Sequence, residues 1–271
     1  MRLCLKLGGR LLEQAEGRAR LAREIAALRA EGARVLVVHG GGARLGEVGR
    51  RLGLEERRHE GLRITDADTA RAACWILGGE LNKALVASLV AEGVPALGLC
   101  GADLGLFRPR RKRAEGVDLG YVGELDPADV DGDRLHALLE LDLVPVLATI
   151  GPERDAADPD QPLLNVNADE AAGPLAAAAG VGEVLFLSDV AGVLGADRAL
   201  LPALDPGRCL ELIATGVVHG GMIPKVRAAL DALEHGVPRA RIASGEGERP
   251  VRAALAGGGT LFAAEPRGAG A

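Results

Sequence analysis

Val35-Leu36-Val37-Val38-His39-Gly40-Gly41-Gly42 is an aliphatic run that stops on three glycines. Consecutive branched residues with no polar alternation read as a strand buried on both faces. Residues 43–52 then take helical spacing. A strand, a glycine turn and a helix together form a backbone site for an anion. The turn amides point outward, and the helix N-terminus carries partial positive charge. Side chains at the glycines would block close approach of a phosphate or carboxylate. The turn has neither G-x-G-x-x-G nor G-K-[ST], so it is neither a dinucleotide turn nor a P-loop. Taken alone, it is compatible with an anion seat or with an ordinary tight connection.

Upstream, residues 2–7 read as a strand that runs into Gly8-Gly9. Residues 18–30 form a helix with Leu21, Ile25 and Leu28 on one face, closed by Gly32. This β-α-β start predicts a parallel sheet covered by helices.

Downstream the alternation continues. A polar connector at 57–65 leads to a helix capped by Thr65 or Asp66, which is predicted to stop at Gly78-Gly79 and resume over 81–91. Strands follow at 96–99 and 144–150, with a β-hairpin excursion at 101–125 and a helix at 131–141 between them. An acidic loop at 151–161 precedes Asn165-Val-Asn-Ala-Asp169 and an alanine-rich helix to about 179. Further strands are predicted at 183–188, 239–243 and 260–262. Helices are predicted from Asp205-Pro206 to Gly216 and over 222–234, and the glycine- and proline-rich tail from 263 is expected to fray. The fold class is α/β: a three-layer αβα sandwich around a mainly parallel sheet, in two lobes. Residues 1–178 and 179–271 form the lobes, with a hinge between Asn165 and Val181.

Composition removes several functions. The 271 residues are 48% apolar but only 2% aromatic, so the core is aliphatic. A formal charge of -6 gives no basic field to gather nucleic acid. No run approaches the length of a membrane span, and the N-terminus has no signal-peptide pattern. Cys4, Cys74, Cys100 and Cys209 are scattered without a C-x-x-C pair, which points to reduced, buried thiols and a cytoplasmic location. His59, His136, His219 and His235 lack metal spacing, so no protein metal site is expected. Trp75 reads as a core residue. The basic run 108–113 reads as a solvated hairpin, with an anionic partner as the alternative.

The chemistry lies in a combination. Lys6 stands two residues before Gly8-Gly9, and Lys225 sits in the first turn of the helix after Gly220-Gly221. In an α/β sheet, ligands gather at the carboxyl ends of the strands. If these turns and Gly40 to Gly42 converge there, two ammonium groups face backbone amides. That arrangement suits a transferring phosphoryl group, which needs positive charge on its equatorial oxygens. Each lysine alone could instead be solvated. Alternation puts Asn165, Asn167 and Asp169 on one side of an extended segment. Asp169 is a candidate to hold both lysines or to cap the next helix. Arg63 is a candidate carboxylate clamp. His39 is read as a structural histidine bonded to its own turn, because a carboxylate nucleophile needs no base.

Eight pieces in order resemble the amino acid kinase family, and within it the acetylglutamate kinase branch. They are Lys6-Leu-Gly-Gly9, Val38-His-Gly-Gly-Gly42, Gly61-Leu-Arg-Ile-Thr65, Asn82-Lys83, Gly120-Tyr-Val-Gly-Glu124, Asn165-Val-Asn-Ala-Asp169, Leu187-Ser-Asp-Val-Ala-Gly-Val193 and Gly221-Met-Ile-Pro-Lys225. The resemblance covers about Leu3 to Phe262 and implies a carbamate-kinase-like fold. It implies an ATP-dependent phosphotransferase acting on the γ-carboxylate of N-acetyl-L-glutamate, in arginine biosynthesis. Acetylaminoadipate or carrier-linked aminoadipate is the rival substrate class, and a non-catalytic sensor the remote alternative. By resemblance Lys6, Asp169 and Lys225 are catalytic. Gly8, Gly9 and Gly41 offer amides to the phosphate, and Gly41, Gly42, Arg63 and Asn165 bind the acyl amino acid. Asp189, Val190, Ala191, Gly192, Val193 and Leu194, with Val217, Val218 and His219, line the ATP site. Mg²⁺ is implied, held mainly through ATP. The family's Ser-Gly-Lys-Asp-like stretch is replaced by Cys100-Gly-Ala-Asp103. The chain opens directly on its first strand, without the N-terminal helix that interlaces hexamers in relatives. A homodimer insensitive to arginine is therefore expected, with no nucleic-acid or membrane partner.

Overall fold

The computed structural model describes residues 1–8, 10–59 and 62–263. Gly9, Gly61 and the tail from 264 lie outside them. The strands are β1 (Arg2–Leu7), β2 (Arg34–His39), β3 (Arg57–His59), β4 (Leu62–Ile64), β5 (Ala96–Leu99), β6 (Arg110–Arg111), β7 (Val122–Glu124), β8 (Val144–Ala148), β9 (Ile150–Gly151), β10 (Leu164–Val166), β11 (Glu183–Ser188), β12 (Ala203–Leu204), β13 (Arg239–Ser244) and β14 (Thr260–Ala263). The helices are α1 (Arg10–Glu13), α2 (Ala15–Ala30), α3 (Gly42–Arg51), α4 (Ala67–Ala73), α5 (Asn82–Ala91), α6 (Gly132–Glu140), α7 (Ala168–Ala178), α8 (Pro206–Ala214), α9 (Met222–Glu234) and α10 (Pro250–Leu255).

One eight-stranded sheet runs in the order β12-β14-β13-β11-β1-β2-β8-β5. Its pairings are parallel except for β13 with β14. Two apolar clusters flank it. One gathers Leu36, Phe107, Leu175, Phe186 and Phe262; the other gathers Leu3, Leu21, Ile25, Leu85 and Leu89. Leu21, Ile25 and Leu28 are buried on α2, as their spacing predicts, and Gly32 closes that helix at φ +86°. The parallel three-layer α/β architecture expected from the opening β-α-β is the one observed.

Several elements differ from their reading in sequence. The 57–65 connector contains the β3–β4 hairpin. The excursion at 101–125 pairs β6 with β7, and β7 with β10, in a separate four-stranded sheet with β9. The predicted strand at 144–150 divides between the two sheets. β12, α1 and α10 had no periodic signal.

The clearest correction concerns Gly78-Gly79, which does not break its helix. A single helix of 25 residues runs from Ala67 to Ala91, with a π-helical stretch at Cys74–Leu81 between α4 and α5. The glycine at 78 lets this stretch lie close to β9, where an added Cβ would come within 3.2 Å of Ile150. This helix has the length and mean hydropathy of a membrane span. However, Ile76, Leu77, Leu81, Leu85 and Leu89 lie in the protein core, and Glu80 and Lys83 form polar contacts on it. Trp75, read as core, is 64% exposed on the same helix.

Candidate active site

Parallel pairing aligns the strand ends that carry the site. Lys6 pairs with Val38 of β2 and Phe186 of β11, and His39 pairs with Ala148 of β8. Lys6, Gly8, Gly40 to Gly42, Thr149, Ser188 and Gly245 therefore meet at the carboxyl edge of the sheet, where ligands bind in such folds.

Two cavities open along this edge. The first, about 230 Å³, is lined on its polar side by Lys6, Gly8, Gly40 to Gly42, Arg58, Arg63, Thr149, Asn165, Asn167 and Asp169. The second, about 420 Å³, is lined by Lys6, Gly8, Asp169, Ser188, Asp189, Lys225, Gly245 and Glu246, with residues of α1 and α2. Lys6, Gly8 and Asp169 belong to both, so the cavities meet at these three residues.

Lys6 is not a solvated edge lysine. It lies on a central strand and is 5% exposed, with its ammonium 2.5 Å from Asp169 Oδ1. That oxygen has no aligned hydrogen bond, so the contact is an ion pair. Asn167, not Asp169, caps α7: its Oδ1 accepts from the Asp169 amide at 2.9 Å. The Asp169 carboxylate is thus free for the lysines, and it also lies where the α7 dipole favours a negative charge. Burial pushes the Lys6 ammonium below the ordinary lysine range; Asp169 opposes that shift and Lys225 adds to it. Burial would raise Asp169, but the charges of Lys6 and Lys225 outweigh it and hold the carboxyl below its ordinary range. Lys225 reaches the second cavity from the first turn of α9. Gly220 and Gly221 line neither cavity.

The glycine turn is set by its neighbours. A Cβ at Gly41 would collide with Leu77 and Leu81 of the long helix. The Gly42 carbonyl accepts from Arg63 at 3.2 Å. Arg63 also pairs with Glu56 at 3.1 Å and faces the first cavity with Asn165. His39 is fully buried, and its Nδ1 lies 2.9 Å from the Gly40 carbonyl. Burial lowers it to about 4, so the ring is neutral near pH 7.

Of the nine residues assigned by resemblance to the ATP site, Asp189 lines the second cavity and eight line neither cavity. Val193 and Val218 are buried in the core, with Val190 and Val217 packed against them. The Val193 amide is taken by Thr260 at 2.8 Å. Gly192 holds φ +147° where its surroundings leave no room for a Cβ. His219 Nδ1 contacts the Val217 carbonyl at 3.1 Å, and Leu194 is 43% exposed. Thr149, Ser188, Gly245 and Glu246 were not predicted. Gly245 carried a signal, because it follows a strand as Gly8 and Gly40 do.

Three cations of the basic run are paired with the protein's own acids. Arg110 meets Asp129, Arg111 meets Glu153 of the acidic loop at 2.7 Å, and Lys112 meets Glu170 at 2.6 Å. Among the described residues, no three His, Cys, Asp or Glu side chains gather into a cation site.

Residues 1–244 match the sequence pattern of the amino acid kinase family. The chain belongs to the amino acid kinase family. It is 43% identical over 242 residues to an acetylglutamate kinase of Koribacter versatilis, covering 89% of this chain and 90% of that one. It is 45% identical over 245 residues to an acetylglutamate kinase of a Roseiflexus species, covering 90% and 89%. Its fold is similar to that of a Giardia lamblia carbamate kinase bound to AMP-PNP, with TM-score 0.67 and 16% identity over 97% of this chain and 98% of that one. The mainly parallel sheet flanked by helices is thus this kinase family's fold.

Proposed function

We propose that the chain transfers the γ-phosphoryl group of ATP to the γ-carboxylate of N-acetyl-L-glutamate, giving ADP and the acyl phosphate, a step of arginine biosynthesis. The observation that carries this reading is the meeting of two cavities at Lys6, Gly8 and Asp169. Kinship with acetylglutamate kinases supplies the substrate.

The acyl amino acid occupies the first cavity. Arg63 and Asn165 hold its α-carboxylate and acyl group, and Gly41 and Gly42 approach it closely through their backbone. ATP occupies the second cavity, between Asp189 and Lys225, with the 190–194 and 217–219 segments beside its base. A γ-carboxylate oxygen attacks phosphorus in line as the bond to the β-phosphate oxygen breaks, and the electron pair leaves on ADP. No proton moves, because the carboxylate, with an ordinary pKa of about 4, is already ionised. The Gly41 amide faces the equatorial oxygens together with Lys6 and Lys225, whereas the Gly8 amide is donated to the Leu187 carbonyl at 3.3 Å, so Gly8 contributes close backbone approach rather than its N–H. Asp169 keeps the two ammonium groups together without neutralising the developing charge.

Mg²⁺ would be held mainly through the ATP phosphates and would supply positive charge to the transferring phosphoryl group. Asp189 and Glu246 are the exposed carboxylates of the second cavity that would face it. The first cavity is lined wholly from residues 1–178, and the second from both parts of the chain, with Ser188, Asp189, Lys225, Gly245 and Glu246 supplied from 179–271. The protein acts in the cytoplasm as a homodimer. Exposed Trp75 and Val90, with Leu97 on edge strand β5, supply an apolar face for the partner. Sedimentation of a monomer at micromolar concentration would contradict the dimer.

Trapping the product with hydroxylamine tests the reaction. Hydroxamate should form with ATP and N-acetylglutamate. ATP binding without hydroxamate from any acidic amino acid would instead indicate a sensor. Faster turnover of acetylaminoadipate would indicate the lysine-type substrate.

A further inference from the structure

Asn82 and Lys83 touch neither cavity, yet they are tied to the glycine turn that lines the first one. Asn82 is completely buried where the π-helical stretch passes into α5. Its amide nitrogen lies 2.9 Å from the Val146 carbonyl and 3.1 Å from His39 Nε2. Its amide oxygen lies 3.1 Å from the Lys83 ammonium, which also donates to the Gly98 carbonyl at 2.8 Å.

These partners leave one assignment of the protons. The Val146 carbonyl can only accept and the Lys83 ammonium can only donate, so the Asn82 amide has a single orientation. Its NH₂ group therefore donates to His39 Nε2, which must be unprotonated. The ring proton is then on Nδ1, which donates to the Gly40 carbonyl. The chain of donors runs from Lys83 through Asn82 and His39 to the first peptide of the turn.

The surrounding sequence accommodates this chain. At Gly98 a Cβ would overlap the Asn82 oxygen and crowd Lys83 and Val86, so β5 is bare where the pair docks. The same long helix presses Leu77 and Leu81 on Gly41, one residue beyond the end of the relay. π-helical turns inside α-helices are often found at functional sites.

We propose that Asn82 and Lys83 are positioning residues, which hold His39 as its neutral Nδ1–H tautomer and thereby set the orientation of the Gly40–Gly42 turn. The consequence for turnover rests on the phosphotransferase reading above; the tautomer and the turn geometry do not. A turn displaced by about 1 Å can slow a reaction roughly 100-fold.

The test is ¹⁵N NMR of the full chain, read at the His39 ring and at the Gly40 to Gly42 amides, with steady-state kinetics on the same preparations. The wild type should show a protonated Nδ1 and a bare Nε2. In Asn82→Asp the carboxylate can only accept, so Nε2 should gain a proton, the glycine amide signals should move, and kcat should fall at least about 10-fold. Lys83→Met, which keeps the buried amide, should move the same signals to a smaller extent and serves if Asn82→Asp does not fold. A wild-type Nε2–H tautomer, or glycine signals unmoved in a folded variant, would overturn the proposal. Moved signals in a chain that makes no acyl phosphate would leave the positioning role standing and remove the kinase reading instead.

Discussion

The Lys6 ammonium sits 2.5 Å from Asp169 at the boundary shared by the two cavities. One residue comes from the central strand β1 and the other from the first turn of α7. Together they place a positive charge at the meeting of the two cavities, and Lys225 acts on the pair from the second one.

Asp169 raises the affinity of Lys6 for its proton, against burial. Removing that carboxylate in Asp169→Asn should lower the Lys6 pKa further. Lys6 then loses its proton at lower pH, so the alkaline limb of the kcat/KM profile should move toward acid. An unmoved alkaline limb would mean that Lys6 ionisation does not limit the reaction.

Arg63 is held in place by Glu56 and the Gly42 carbonyl before any ligand arrives. Arg63→Ala should raise the KM for the acyl amino acid by about 10-fold or more, the scale of a lost charge-assisted hydrogen bond of about 1.5–3 kcal/mol. The KM for ATP should stay within a factor of two or so of the wild type, by the same reasoning. An effect on ATP alone would place Arg63 at the wrong ligand.

His39 should make the fold acid-sensitive. Its pKa is about 4 in the folded chain against an ordinary 6.5, because burial excludes the imidazolium. Above the ordinary value both states are neutral and the full stability is present. As pH falls toward the folded value only the unfolded chain takes up the proton, so stability drops by up to about 3 kcal/mol. Urea denaturation from pH 7.5 to 4.5 should show this loss in the wild type and a smaller one in His39→Gln. Equal slopes would show that His39 is not the group responsible.

Strand ends and glycine turns were legible in sequence because their signals are local. The buried run 35–38 and the paired polar residues 165, 167 and 169 each declare their geometry within a few residues. Lys6 and Asp169 could be proposed as partners, but only the fold brings them together. The helix through Gly78-Gly79 was misread because glycine costs about 1 kcal/mol in an isolated helix, while here close packing on Ile150 favours it. The hairpin of the basic run was legible, but its acid partners were not, for another reason. Arg111 and Glu153 are 42 residues apart in the chain, and charge pairs at that separation leave no pattern. Trp75 shows the limit of composition, since a lone tryptophan in an aliphatic chain reads as core yet lies on the surface.

The most direct test is the turnover of Lys225→Ala, with both KM values measured on the same preparation. Of the two cavities Lys225 lines only the second, and the proposed reaction assigns it to the transition state. The expected result is a kcat at least about 100-fold lower, the scale of a lost transition-state donor, with the KM for the acyl amino acid little changed. Near-normal kcat would contradict phosphoryl transfer between the two lysines.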